Sequence, residues 1–256
     1  MIDFPVRDVL GVPIHAASRS EVVDACDRTI ASGEFLLVGV VNVAKLVRMK
    51  DEVLRSSVTD ADLVVADGMG VVWASRLLQS PLPERVAGID LFLDLLALAA
   101  QRGYSVYLFG AKQDVLDECT RRVREQNPGL VIAGSRNGYF DDSETETIAE
   151  DIRASGADIL FVGIPSPHKE VFLARYGRRL GVNVCHGVGG SFDVVAAKVK
   201  RAPALWQRFG LEWLYRLIQE PRRMWKRYLV TNSVFAWKLA IELVRRRAGR
   251  APGPHA

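Results

Sequence analysis

From residue 14 onward, short β-branched apolar runs alternate with longer stretches whose apolar positions recur at helical spacing. That alternation predicts parallel βαβ units. Six strands are expected, at Leu36–Val41, Leu63–Val65, Val106–Phe109, Val131–Ala133, Ile159–Val162 and Val182–Cys185. Each is nearly all apolar, as a strand covered by helices on both faces must be. Ser18 with Glu21, and Ser143 with Glu146, have the spacing of capping boxes and predict helix starts over about 18–32 and 143–155. Near residue 203 the alternation stops. Trp206, Phe209, Trp213 and Leu217 then share one helical face and Arg208, Glu212 and Arg216 another, with Trp206 and Trp213 expected to pack inward. Pro221 breaks that helix ahead of a basic run and the apolar stretch Tyr228 to Val244. Residues 1–200 therefore read as an α/β domain, 201–247 as a basic helical appendage, and 248–256, with Pro252 and Pro254, as a disordered tail.

Composition narrows the class. With 256 residues, 49% apolar and 25% charged, the chain is globular, neither a disordered tail nor a fibre. The charge-free runs Phe35 to Ala44, Gly181 to Phe192 and Tyr228 to Trp237 fall short of the roughly 18 apolar residues of a membrane span. The N-terminus carries Asp3 and Asp8 and no apolar segment, so no secretory signal is read and a cytoplasmic location is expected. Cys26, Cys119 and Cys185 are too scattered for a disulfide framework or a metal site. Charge is uneven: residues 201 to 256 hold twelve Lys and Arg against three acids, while the first 200 hold 22 against 27. A basic segment of this kind attracts either nucleic acid or anionic lipid headgroups.

Ligands in open parallel sheets sit beyond the carboxyl ends of the strands. Those ends read Asn42, Asp67-Gly68, Gly110, Gly138-Tyr139, Gly163 and Gly187. Asp67 there is either a base or the cap of the following helix. The loop Gly187-Val188-Gly189-Gly190-Ser191 leads into a helix and points backbone N–H groups at one place, which suits a diphosphate; the bland alternative is a tight turn. It is not the dinucleotide fingerprint. His168, Lys169 and Glu170 emerge at the same edge, where a cation can stabilise a departing anion. Asp60-Ala61-Asp62 has metal-site spacing but precedes its strand, at the wrong end of the sheet. Cys185 and His186 are neighbours on a strand and point to opposite faces, against a nucleophile–base pair.

Taken together, DGMGVVWASRLL with PLPERVAGIDL, NGYF, ADILFVGIPSPHKE, GVGGSFDV and RAPALWQRFGLEWLYRLIQEPRRMWKRY resemble the WecB/TagA/CpsF family, glycosyltransferase family 26. The matching stretches span roughly residues 36 to 228 in order. The resemblance implies a Rossmann-like catalytic domain with an open, mostly parallel sheet and a helical C-terminal appendage that touches the membrane. It implies transfer of a sugar, with inversion and without a metal, from a UDP-sugar to a polyprenyl-diphosphate-linked acceptor in surface polysaccharide synthesis. The enzyme would be peripheral at the inner face of the cell membrane. No resident cofactor is implied, since the UDP-sugar is a substrate, and a homo-oligomer is compatible with the sequence.

Residue by residue, Asp67 matches the family's base and Arg85 the arginine before its Gly-Ile-Asp segment. Asn42 matches a pocket asparagine, Asp193 a site aspartate, and Arg216 and Arg223 appendage arginines. The strand-end residues Gly110, Gly138, Tyr139 and Gly163, with Lys169, Glu170, Gly187, Gly189 and Gly190, complete the expected substrate site. Three departures stand out: Val40-Val41-Asn42 for Thr-x-Asn, Pro167-His168-Lys169-Glu170 for Pro-Lys-Gln-Glu, and Ala197 for a glycine. The sugar or acceptor is therefore expected to differ from that of the N-acetylmannosamine-transferring members. The rival reading, a non-catalytic nucleotide- or nucleic-acid-binding module with a basic arm, is disfavoured by Asp67 at the ligand edge. No aromatic residues interleave a basic sheet surface to support it.

Overall fold

The computed structural model describes residues 3–248, without the side chains of Arg208, Arg223, Arg227 and Ala248. The expected tail thus lies outside the described residues. Two short strands, β1 (Val6–Val9) and β2 (Val12–His15), form an antiparallel hairpin. Six more, β3 (Leu36–Val41), β4 (Leu63–Ala66), β5 (Ser105–Gly110), β6 (Val131–Arg136), β7 (Ile159–Gly163) and β8 (Val184–Gly187), form one parallel sheet in the order β4-β3-β8-β7-β5-β6.

Alternate residues of each strand enter separate cores, which is why the strands read as continuous apolar runs. Leu37, Val41, Val64, Phe109 and Leu160 meet the helices Val43–Arg48, Glu52–Thr59, Met69–Leu77, Thr145–Ala154 and His168–Tyr176. Leu36, Val38, Val65, Leu108 and Phe161 meet Arg19–Ser32, Gly88–Arg102 and Gln113–Gln126. This is an α/β, Rossmann-like fold. The chain runs from β3 out to β4 and then crosses to build the other side, returning through β7 to β8 beside β3. The loops leaving β3, β4 and β8 therefore border one crevice at the carboxyl edge.

The hairpin was not expected from the sequence. Its central residues, Leu10 and Gly11, both have positive φ (56° and 80°), as a twisted two-residue turn requires. It shields the sheet edge: His15 Nδ1 accepts the Val64 N–H at 3.0 Å. The Ser18–Glu21 capping box forms as expected. The second one does not; the box is Asp141 with Glu144, opening a short 3-10 turn, because the helix proper begins only at Thr145. Asp62 lies at the amino edge, as its place ahead of β4 predicted, and accepts the Leu37 N–H at 2.8 Å.

The appendage comprises the helices Ala204–Arg208, Glu212–Gln219 and Pro221–Ala248. Gly210, at φ 68°, separates the first two, so the expected single amphipathic face is broken. Pro221 opens the last helix, where its missing N–H costs nothing. That helix returns along the α/β domain: Phe235, Leu239 and Leu243 pack on its core. Lys238 Nζ donates to the carbonyls of Leu46 (3.3 Å) and Val47 (3.1 Å), and Arg246 Nη1 to that of Leu78 (2.7 Å). Each cation satisfies carbonyls at a helix C-terminus. Among the described residues, no helix is long and apolar enough to cross a membrane.

Trp213 does not pack inward. It is 38% exposed, with Phe209, Ile218, Trp225, Leu229 and Trp237 more so, while Trp206 is half-buried against Tyr215.

Candidate active site

β4 delivers Asp67 to the carboxyl edge. The residue that caps the following helix is Gly68, at φ 129°, and no side chain bonds the helix start. Asp67 is thus free of the capping role. Its half-buried carboxylate instead lies near the Gly88 N–H, at the start of the helix Gly88–Arg102, which favours its charged form. Enclosure raises its proton affinity above that of an ordinary aspartate; Arg85 and Lys45 pull it down and Glu212 pushes it up. A carboxyl so tuned is a better base than one in water.

Beneath it lie three buried charges. Lys45, Lys169 and Glu170 are each only 6–7% exposed. Glu170 Oε1 is 2.8 Å from Lys45 Nζ and 3.4 Å from Lys169 Nζ. Burial alone would raise the Glu170 carboxyl; the Lys169 and Lys45 ammoniums outweigh it and hold it down to about 2. Burial and the neighbouring Lys45 ammonium lower the Lys169 pKa, with Glu170 and Asp67 opposing them. The Lys169 stem crosses Gly187 so closely that a Cβ there would lie 2.7 Å from it, and Nζ reaches the Gly189 turn. A side chain at Gly187 would push the Lys169 stem aside, and the space that the glycine leaves delivers an ammonium to the loop.

The loop itself is closed by a bond from Ser191 Oγ to the Val188 carbonyl at 2.7 Å. The helix after it, Ser191–Val195, is little more than one turn, so its dipole is small. Positive charge at this place comes from side chains: Lys169 on one side and Arg216 on the other, whose Nη2 would lie 3.3 Å from a Cβ at Gly190. Asp193 borders the same glycine, its Oδ2 3.9 Å from that position.

Arg85 completes the rim. One nitrogen, Nη1, contacts Glu212 of the appendage closely, and Nη2 is 3.7 Å from Asp90. Arg201, also from the appendage, holds Asp90 at 2.7 Å. Two arginines and two carboxylates thus join appendage to domain beside Asp67.

A family model, that of the Glycosyl transferase WecG/TagA/CpsF family, matches residues 7–249. The chain belongs to this family. It is similar to an N-acetylglucosaminyldiphosphoundecaprenol N-acetyl-beta-D-mannosaminyltransferase of Bacillus spizizenii (strain ATCC 23059 / NRRL B-14472 / W23), with 41% identity over 71% of this chain and 69% of that protein. A relative of the same name in Bacillus subtilis (strain 168) is 38% identical over 71% of this chain and 70% of its own length. The chain is therefore a glycosyltransferase, which removes the non-catalytic alternative.

In this WecG/TagA/CpsF glycosyltransferase, Arg85 and Lys169 neighbour Asp67, Glu170 pairs with Lys169, and Lys169, Arg216 and Asp193 border the loop of Gly187, Gly189 and Gly190. Asn42 stands beside Gly68 and caps the helix Val43–Arg48, accepting the Lys45 N–H at 3.1 Å. Gly110, Gly138 and Gly163 are knitted to one another. A Cβ on Gly110 would lie 2.4 Å from Gly163, one on Gly138 2.6 Å from Ile164, and one on Gly163 2.6 Å from Phe192. Tyr139 is 70% exposed beside them. The Arg223 side chain lies outside the described residues. Cys185 and His186 enter opposite faces: Cys185 joins one core, while His186 packs on Phe161 of the other and binds the Gly88 carbonyl at 3.1 Å. Lys45, Asp90, Arg201 and Glu212 were missed. Lys45 had one usable signal, its position three residues after the strand-end Asn42, on the first turn of a short helix.

Proposed function

We propose that this glycosyltransferase moves a sugar from a UDP-sugar to a polyprenyl-diphosphate-linked acceptor, with inversion and without a metal. The work belongs to surface polysaccharide synthesis at the inner face of the cell membrane. The observation that carries this reading is Asp67: a carboxylate of raised basicity, excused from helix capping, and ringed by Arg85, Lys45 and Lys169. The names of the two Bacillus relatives support the lipid-linked acceptor.

In the reaction, an acceptor hydroxyl attacks the anomeric carbon from the side opposite UDP. Its proton passes to Asp67, and the electrons of the breaking C–O bond leave on the diphosphate. Lys169, Arg216 and the Gly187–Gly190 amides meet that charge, the work a metal does elsewhere. Arg85 lines the same rim. Asn42, Gly110, Gly138, Tyr139, Gly163, Glu170, Asp193 and Arg223 complete the substrate site. The appendage turns Trp225 and Trp237 outward on the helix that bears Arg222 and Lys226, a pairing suited to anionic headgroups. Val40 for threonine and Lys169 for glutamine support a sugar or acceptor other than that of the N-acetylmannosaminyl-transferring relatives.

The test is Asp67→Asn assayed with UDP-sugars and a synthetic prenyl-diphosphate-linked N-acetylglucosamine, in the presence of EDTA. Loss of a general base lowers kcat by about 10²- to 10⁴-fold, while thermal stabilisation by UDP should persist. Wild-type turnover in the folded variant would refute the role of Asp67. Wild-type protein that turns over only when magnesium is restored would refute metal independence.

A further inference from the structure

We propose that Glu212, carried by the appendage, is a positioning residue for transfer: it fixes the Arg85 guanidinium beside Asp67 and brings a negative charge up to the reacting end of the crevice. The proposal rests on the reading of Asp67 as the general base.

Glu212 opens the helix Glu212–Gln219 and is 30% exposed at its side chain, against 12% for Arg85. Its Oε2 is the close partner of Arg85 Nη1, and its Oε1 lies 3.8 Å from Arg201 Nε. Asp90 does not duplicate this contact. Arg201 holds Asp90 at 2.7 Å, and Arg19 lies 3.6 Å from it, so the 3.7 Å separation from Arg85 is the looser of its contacts. Without Glu212, the Arg85 guanidinium keeps only that long contact, and the next carboxylate whose charge it feels is Asp67.

The consequence for Asp67 has a definite sign. The groups that face it are Arg85, Lys45, Lys169 and the Gly88 N–H, which favour its ionised form, and Glu212, which disfavours it. Removing the Glu212 charge deletes the one carboxylate among them and releases Arg85 toward Asp67. Both changes weaken the base. Glu212 itself faces Arg85 and Arg201. A pair that served only to dock the appendage would leave kcat of the folded variant untouched.

The decisive experiment compares full-length Glu212→Gln, Arg201→Gln and Asp67→Asn for kcat, KM, the pH profile of kcat/KM and thermal unfolding. Displacement of a catalytic group by about 1 Å costs on the order of 10²-fold in rate, so E212Q should lose kcat on that scale. Its acid limb should move to lower pH by about one unit, the size of effect that a single nearby charge produces. R201Q should lower the unfolding temperature comparably and leave the acid limb in place. If E212Q does not fold, Glu212→Asp decides: it keeps the charge and withdraws the carboxylate, so kcat should fall with an unmoved limb, and wild-type kcat would overturn the proposal. Wild-type kcat and limb in E212Q, a change in KM alone, or identical profiles for E212Q and R201Q would each overturn it while D67N stays inactive. Full activity in D67N would instead overturn the assignment of Asp67 on which it rests.

Discussion

Replacing Glu170 with glutamine should destabilise the protein by about 3 kcal/mol at neutral pH, because it strands two buried ammoniums. Among the described residues, Glu170 is the carboxylate with which both Lys45 and Lys169 pair. Two routes lead to the magnitude. A carboxyl held at about 2, against an ordinary 4.5, corresponds to about 3 kcal/mol favouring its charged form. Breaking a buried ion pair by removing one partner typically costs about 3–5 kcal/mol. For a chain of this size that loss lowers the unfolding midpoint by roughly 6–12 °C. The sign with pH follows. The folded carboxyl binds protons less readily than the unfolded one, so its stabilisation is complete above pH 4.5 and is lost as pH falls from there toward 2. Urea unfolding at pH 7, followed by far-ultraviolet circular dichroism, measures the difference. Adding Lys169→Met to E170Q should recover part of it, since one fewer buried ammonium then lacks a carboxylate. A loss under about 1 kcal/mol, or no recovery in the double variant, would refute the claim that these charges are mutually compensated in a dry interior.

His186 is buried and neutral, its pKa pushed down to about 4 by burial and by the nearby Lys169 and Lys45. The unfolded chain takes up a proton there near 6.5, so stability should fall by about 3 kcal/mol as pH drops from about 6.5 to about 4; melting curves that stay flat between pH 7 and 5 would contradict this. Ala197 stands where the family pattern has glycine, and its φ of 55° is left-handed. Ala197→Gly relieves about 1–2 kcal/mol of crowding and returns about 0.4–1 kcal/mol of unfolded-state entropy. A small net gain in the unfolding midpoint is expected, and a lower midpoint would show the strain to be absent. The protein should sediment with phosphatidylglycerol vesicles and not with phosphatidylcholine, and truncation after Ala202 should abolish this with most transfer; equal sedimentation with both lipids would refute the membrane role of the appendage.

What could be read from the sequence was what the backbone pattern fixes. Strands buried on both faces announce themselves as apolar runs, and the residue after such a run must lie at the carboxyl edge; that rule alone found Asp67 and Gly187. The hairpin escaped because its strands are half exposed and its turn is Leu10-Gly11 rather than an asparagine–glycine pair. Lys45, Asp90, Arg201 and Glu212 escaped for a different reason. Lys45 meets Glu170, and Arg85 meets Glu212, across separations that no local spacing records. A charged position on a helix has the same pattern whether it is solvated or paired with a distant element. The helix Glu212–Gln219 shows how far that ambiguity reaches. The usual rule turns the apolar face of a helix inward, which led to the expectation of a buried Trp213. Here Glu212 and Arg216, four residues apart, face the catalytic domain, one on Arg85 and the other over Gly190, while Trp213 and Ile218 face out. Such an inversion is stable only if the inward charges have partners and the outward aromatics a medium to enter. The domain supplies the first through Arg85 and the glycine loop. A bilayer surface would supply the second, so under the proposed function one short helix offers charges to the site on one side and apolar side chains to the membrane on the other.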